Sequence, residues 1–532
     1  MFGRITAVLA LAAAVVVLTP LSPAAPTAGG TFRIAEPATY VASIDQALNQ
    51  NAGGVFVNPS CASLMHFADK PLPAGFRIVP ELAAGFPRIS RDKKLYVFTL
   101  RKGLRFSTGG PVRAADVAYT INRLLIVHSF LSQSFAQIVG AQAVLDGHAT
   151  GASGIIASGR KLTIKLTQPV EDFVENAAAS LCVIPAGLPI AAGGVTPPVP
   201  SPAPYYLSEY VPDQRIVLKR NVYYRGPRSH HVDSFVFDLT VDDTQAIDDV
   251  VNGSADYAWI PNVVYAARAE ELARRFGVNK KQFFVKPSTF VRMFVLNTSR
   301  PLFRNNAPLR RAVNFALDRP ALISQFGAYA ETAIDHYLPP IMPGYRKTHV
   351  YPLRKPDLAK ARALARGHTR GGRLVLYVNT RAPVQAQAQI VKQDLKRIGL
   401  DVQIVSSPPG LYFQKLANPK EPFDMGWIGW FFTEPDPGAA LVPLFDGRTI
   451  GQPGNENYSY FNSPTWTRRF SRASGLTGEA RYRAFGRLDV ELARKEAPAV
   501  AYGVDDALTL VSARTRCVVV NPYLDLATVC LK

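Results

Sequence analysis

The sequence predicts an α/β protein of two or more lobes, and three observations point there. The chain has 532 residues, more than one hydrophobic core ordinarily supports. Strand and helix periods follow one another at Tyr96 to Leu125 and again at Leu374 to Ile404. Near residue 285 the organisation changes, with a new strand candidate at Val291–Asn297. A composition of 48% hydrophobic and 10% aromatic residues argues against disorder.

Residues 1–28 read as an export signal. Arg4 supplies the positive start, Ile5–Leu18 is an apolar run of 14 residues, and Pro20, Pro23 and Pro26 break it among small residues. A membrane anchor is the alternative, but the run falls short of the ~20 residues that span a bilayer. There is no cysteine before Cys61 to carry a lipid. Gly30–Ala35 then reads as a first strand and Ser43–Leu48 as the loop after it. At 96–100, Tyr96, Phe98 and Leu100 alternate toward one face. A Gly109-Gly110-Pro111 turn leads into a helix with Val117, Ile121, Leu124 and Leu125 on one stripe. Leu162, Ile164 and Leu166 alternate in a further strand, and the proline-rich stretch 195–204 is a linker-like stop. Asp242-Asp243 and Asp248-Asp249 are expected at a helix start, where carboxylates favour the helix dipole. Leu309, Ala312, Val313, Ala316 and Leu317 form the apolar stripe of a helix over 308–319. The pattern 374–404 is β–α–β, its helix closed by Gly399.

Four cysteines fit an oxidising compartment. Cys517 and Cys530 flank two apolar runs around Asn521-Pro522, which suits a hairpin staple. Cys61 and Cys182 then pair by elimination, with free buried thiols as the alternative. The net charge is +20, scattered through amphipathic segments, so it reads as general surface charge. Export also removes nucleic acid from the expected partners. Among reactive patterns there is no G-x-S-x-G elbow, phosphate loop or H-E-x-x-H. Gly151–Gly154 reads as a turn, and His230-His231, adjacent in sequence, as loop surface. No catalytic set, metal site or cofactor motif emerges.

The order of motifs resembles the peptide/nickel class, family 5, of extracytoplasmic solute-binding proteins that serve ABC importers. The resemblance is carried by Val79–Ala83, by Ser90–Phe106 and by Gly110–Val112 with Ala115–Val117. A second block is Pro308-Leu309-Arg310-Arg311-Ala312-Val313-Asn314-Phe315-Ala316-Leu317-Asp318-Arg319. Thr108 stands where the family often has Asp, and Arg113 where it often has a capping Thr. The resemblance implies a two-lobe periplasmic-binding-protein fold (type II, Venus-flytrap) with an extra subdomain in lobe I. Lobe I is expected over 29–285, its subdomain over about 60–190, completed by 506–532; lobe II is expected over 286–505. It implies a non-enzymatic, monomeric, exported protein that captures a peptide-like or other amphipathic solute and delivers it to a membrane permease. An exported enzyme or cell-wall-associated factor reusing the fold is the rival. Oligosaccharide, nickel-chelate and haem ligands are the alternatives within the binding class.

The richest site candidate is Met425–Pro437, which holds two of the four tryptophans. A core strand would also explain its aromatics. The family has G-W-x-x-D here, at the cleft between lobes, and in peptide binders that aspartate pairs with the ligand's amino group. Trp430 stands in its place, or Thr433 counted back from Asp436-Pro437, and Glu434 is the nearest substitute charge. This disfavours a free-amine dipeptide and favours an aromatic platform. The expected ligand-binding set is Trp427, Gly429, Trp430, Phe431, Thr433 and Glu434. Arg381 is added as a carboxylate contact, with Tyr40 and Asn51 for the opposite wall.

Overall fold

A computed structural model describes residues 29–48, 56–170, 173–175, 179, 181–191, 193–260, 262–432, 435–451, 455–521 and 523–532. The export-signal reading of 1–28 lies outside them, as do Asn51, Thr433 and Glu434. Among the described residues no helix is long and apolar enough to cross a membrane.

Strand β1 (Thr31–Ala35) opens the first lobe, with Phe32 and Ile34 fully buried and Thr31 and Arg33 exposed. The chain then builds a separate four-stranded antiparallel sheet from β2 (Arg88–Ile89), β3 (Leu95–Thr99), β4 (Ile155–Ser158) and β5 (Lys161–Lys165), in the order β2-β3-β5-β4. Tyr96 and Phe98 of β3 and Leu162 and Ile164 of β5 face inward against helix α1 (Ala114–Ile126). All four stripe residues of α1 are buried. With Arg113 at the N-cap, the helix is capped by its third residue: Asp116 accepts the Arg113 backbone N–H at 2.7 Å. The core of this part runs from Ala47 to Ala203.

Strands β6 (Tyr205–Val211), β7 (Arg215–Arg220), β8 (Ser234–Asp238) and β9 (Tyr257–Ala258) return the chain to β1. The sheet order is β9-β1-β8-β7-β6, with β1 parallel to both neighbours. Helix α2 (Asp243–Asn252) follows β8, capped by Asp242, which accepts the Gln245 N–H. Asp243 does lie in its first turn, but Asp248 and Asp249 lie in its second half and not at its start. There Asp248 pairs with Arg268 and Asp249 accepts from Gln245 and Ser254. Side-chain partners, unavailable from local pattern, outweigh the dipole at that position.

Lobe II is a six-stranded sheet. Its strands are β10 (Phe283–Leu296), β11 (Glu331–Ala333), β12 (Arg373–Asn379), β13 (Asp401–Ser407), β14 (Met425–Phe431) and β15 (Ala499–Leu510), in the order β11-β15-β10-β14-β12-β13. Helix α3 (Ala307–Ala316) buries Leu309, Ala312, Val313 and Ala316 on this sheet; it ends short of the expected residue 319, and Leu317 is buried just past its end in extended backbone. The unit β12–α4 (Ala382–Lys396)–β13 is a parallel crossover closed by Gly399 at φ +85°.

β10 is longer than its sequence pattern indicated, and the excess matters. Phe283 of β10 and Leu508 and Leu510 of β15 pack in a lobe I core, whereas Val291–Leu296 and Ala499–Val504 pack in the lobe II core. The two antiparallel strands therefore cross from one core to the other together. Their register shifts between Pro287 and Val291, at the crossing itself. Proline donates no ladder hydrogen bond, so a break there is tolerated.

The cysteines pair as Cys61–Cys182 and Cys517–Cys530, with no free cysteine among the described residues. The second bond ties Thr515–Arg516 to Cys530–Leu531, and inside it Val520–Asn521 pairs with Tyr523–Leu524.

Candidate functional site

Strand β14 pairs with β10, placing Phe431 opposite Phe290, Trp430 opposite Val291, Gly429 opposite Arg292 and Trp427 opposite Phe294. Because Phe290 sits where the strands leave the lobe II core, the end of β14 reaches the junction of the lobes. Its residues then diverge in role. Trp427 is only 2% exposed, and its Nε1–H donates to the Tyr502 hydroxyl at 2.9 Å, which in turn donates to Gln387 Oε1. Gly429 admits the Phe290 ring: a Cβ there would lie 2.4 Å from Phe290 Cζ. Trp430 is half-buried against the lobe II core. Phe431 alone of the four projects, 51% exposed.

Beyond the strand, Asp436 caps helix α5 (Pro437–Phe445), accepting the N–H groups of Gly438 and Ala439 at 2.8 Å. It also holds Arg481 through two bonds of 2.7 and 2.8 Å. Arg481 belongs to α6 (Gly478–Lys495). This ion pair forms one rim of a cavity of about 540 Å³. Asp436, Glu479 and Tyr482 line it from lobe II, and Phe76, Arg77 and Phe86 face them from the lobe I subdomain. Phe86 is 64% exposed. Burial raises the Tyr482 phenol, and the charges of Asp436 and of Glu175, across the cavity, push it the same way. The space is within the range that holds small ligands, with aromatic faces and both signs of charge on its walls.

Of the sequence-predicted segment, Pro435 and Asp436 line this cavity, whereas Trp427, Gly429, Trp430 and Phe431 do not. Tyr40 stands on lobe I, edge-on to Trp259 at 5.6 Å. Its hydroxyl donates to Asp243 at 2.8 Å, and burial with that bond pushes its pKa up to about 12. Arg381 is an exposed N-cap of α4 whose backbone N–H donates to Asn379 Oδ1. It lines neither this cavity nor the crossing. Among the described residues no group of three or more His, Cys, Asp or Glu is placed to hold a metal ion.

Sequence reasoning missed the subdomain wall of the cavity and the polar cluster at the crossing. The segment Pro73–Phe86 carries two phenylalanines, Phe76 half-buried and Phe86 exposed, a signal that could have marked it. Arg292 gives no such signal, since its partners Glu331 and Asp505 are remote in sequence.

Two α/β lobes joined by a pair of crossing strands, with a mixed aromatic and charged cavity between them, define a two-lobe solute-binding protein. Residues 77–452 match the bacterial extracellular solute-binding proteins, family 5 (middle part). Heme-binding protein A of Haemophilus influenzae is 24% identical over 480 residues, covering 84% of this chain and 82% of that protein. Glutathione-binding protein GsiB of Escherichia coli O6:K15:H31 is 24% identical over 371 residues, 67% of each chain. Among solved structures, the periplasmic murein tripeptide binding protein MppA in its unliganded open form superposes with a TM-score of 0.80 at 21% identity. That match covers 96% of this chain and 99% of the other. The chain belongs to the family 5 extracellular solute-binding proteins and is a substrate-binding component of the ABC-importer type.

Proposed function

We propose that the protein captures a peptide-like or other amphipathic small solute between its lobes and delivers it, chemically unchanged, to a membrane permease. The observation that carries this is the cavity of about 540 Å³ walled by both lobes. Phe76, Phe86 and Tyr482 offer apolar faces, while Arg77 and Glu479 offer opposite charges on opposite walls. Such a surface suits a solute with both apolar and ionic groups. Residues 29–285 with 506–532 form one jaw and 286–505 the other. Contacts to both jaws stabilise the closed arrangement, so closure is a population shift driven by the ligand. Export through a cleaved leader places the protein where such solutes are encountered.

Thermal-shift screening tests this. Peptides, glutathione, haem, oligosaccharides and metal chelates are each added to the full-length mature protein. At least one class raises the melting temperature, and Tyr482→Ala or Arg77→Ala weakens that response with the fold intact. Indifference to every class, with an intact fold, overturns the reading.

A further inference from the structure

The subdomain sheet, in the order β2-β3-β5-β4, turns one face to α1 and the other to solvent. Alternation fixes which residues the solvent face shows. With Tyr96, Phe98, Leu162 and Ile164 turned inward, the residues Arg88, Val97, Thr163 and Ile156 lie side by side in one outward row across the four strands. Lys161 and Lys165 flank that row on β5, two residues to either side of Thr163. Arg88, Lys161 and Lys165 are exposed, and none has an acidic partner among the described residues. No outward position of the four strands carries an acid. Ile156, opposite Thr163 and so diagonal to both lysines, is 46% exposed.

The main sheet of lobe I offers a contrast. There Arg215 of β7 pairs with Glu209 of β6, and Arg220 with Asp233. Around the subdomain face the nearby groups leave the cations unmatched. Asp92, in the turn between β2 and β3, accepts from the Ser90 hydroxyl and from the Lys94 N–H. Arg160, in the turn between β4 and β5, donates to the Leu100 carbonyl at 2.8 Å and adds a fourth cation at the rim. Cations held in register on a flat sheet suit a partner that is itself extended and anionic. Ile156 narrows the choice. A soluble polyanion gains nothing from an exposed isoleucine, whereas a bilayer takes it in below the headgroups while Lys and Arg reach the phosphates on their long stems.

We propose that the solvent face of the subdomain sheet docks on an anionic lipid bilayer, with Arg88, Lys161 and Lys165 on headgroup phosphates and Ile156 set into the interface beside them. The docked protein keeps its cleft free, because the cavity draws on other residues of the subdomain. The proposal does not depend on what the cleft holds.

Co-sedimentation of the full-length mature protein with vesicles tests this. It should bind vesicles of mixed phosphatidylglycerol and phosphatidylcholine, not vesicles of phosphatidylcholine alone, and binding should weaken as salt is raised. At roughly fivefold per basic residue near an anionic surface, the triple variant Arg88→Gln, Lys161→Gln, Lys165→Gln should bind about 100-fold more weakly. A second triple variant, Arg354→Gln, Lys355→Gln, Arg366→Gln, removes the same charge from exposed positions of lobe II and should bind as wild type does. Ile156→Ser changes no charge and should weaken vesicle binding while leaving binding to soluble polyphosphate as it was. Circular dichroism checks each fold. No binding to the anionic vesicles, equal losses in the two triple variants, an Ile156→Ser variant that binds vesicles like wild type, or polyphosphate bound as tightly as vesicles would each overturn the proposal. Solute-induced thermal shifts are read without vesicles, so this surface and the capture reading can fail separately.

Discussion

Glu36 supplies the sharpest stability test. It follows β1 directly, its backbone N–H donates to the Asp238 carbonyl at 3.0 Å, and the residue is 0% exposed. Neither carboxyl oxygen has a hydrogen-bond partner among the described residues. Nothing compensates its ionised form, and burial pushes its pKa from 4.5 up to about 8. The folded state therefore binds this proton more tightly than the unfolded chain does. Stability contributed by the site is complete below the unfolded pKa, falls as pH rises through about 8, and is flat beyond. At about 1.4 kcal/mol per pKa unit the full swing is on the order of 4–5 kcal/mol. Glu36→Gln copies the shape of the neutral acid and cannot ionise. In urea unfolding the variant should match wild type within about 1 kcal/mol at acid pH and exceed it by several kcal/mol at alkaline pH. Amide exchange at Glu36 and Ala38, whose N–H groups bond Asp238 and Leu239, should slow in the variant only at alkaline pH. If the two proteins keep a constant stability difference across that range, Glu36 is already ionised in the fold and the burial argument fails.

Other consequences follow from single contacts. Gly429→Ala would set a Cβ 2.4 Å from Phe290 Cζ, so a loss of about 1–3 kcal/mol is expected in thermal unfolding. Adding Phe290→Ala should return part of it, and strictly additive losses would refute the steric account. The Cys61–Cys182 link spans 121 residues and Cys517–Cys530 spans 13; by loop entropy their removal should cost about 5 and about 3 kcal/mol respectively. Urea midpoints of the paired serine variants check the ranking. Burial opposes the charged form of His336, but the Asp489 carboxylate 2.6 Å from its Nδ1 outweighs this and raises the pKa. The stability it supplies is present below the unfolded histidine pKa and lost as pH rises through the raised one. His336→Phe should flatten that loss on the alkaline side of the ordinary histidine range, which urea midpoints measured across pH would reveal.

Local pattern carried a good deal. The stripe of α1, the stripe of α3, the alternation in β3 and β5 and the β12–α4–β13 crossover all appear where their periods put them, because burying one face satisfies each element separately. Both disulfide pairings were also reachable, one from its flanking hairpin and the other because only two cysteines remained. The aromatic segment was found as a segment but not resolved into roles. Trp427 and Phe431 are four residues apart on one strand; the first anchors the core through Tyr502 and the second is exposed. That difference depends on what lies across the sheet.

By itself, then, the chain's order of residues determined its class, its elements and the covalent ties, since each of those is settled by neighbours in sequence or by an apolar period. Only the tertiary structure decided where the cavity lies, which walls face each other and why Arg292 meets Glu331 and Asp505. Those arrangements bring together side chains from distant segments, and the energies that fix them, burial and charge, belong to the assembled lobes rather than to any stretch of chain.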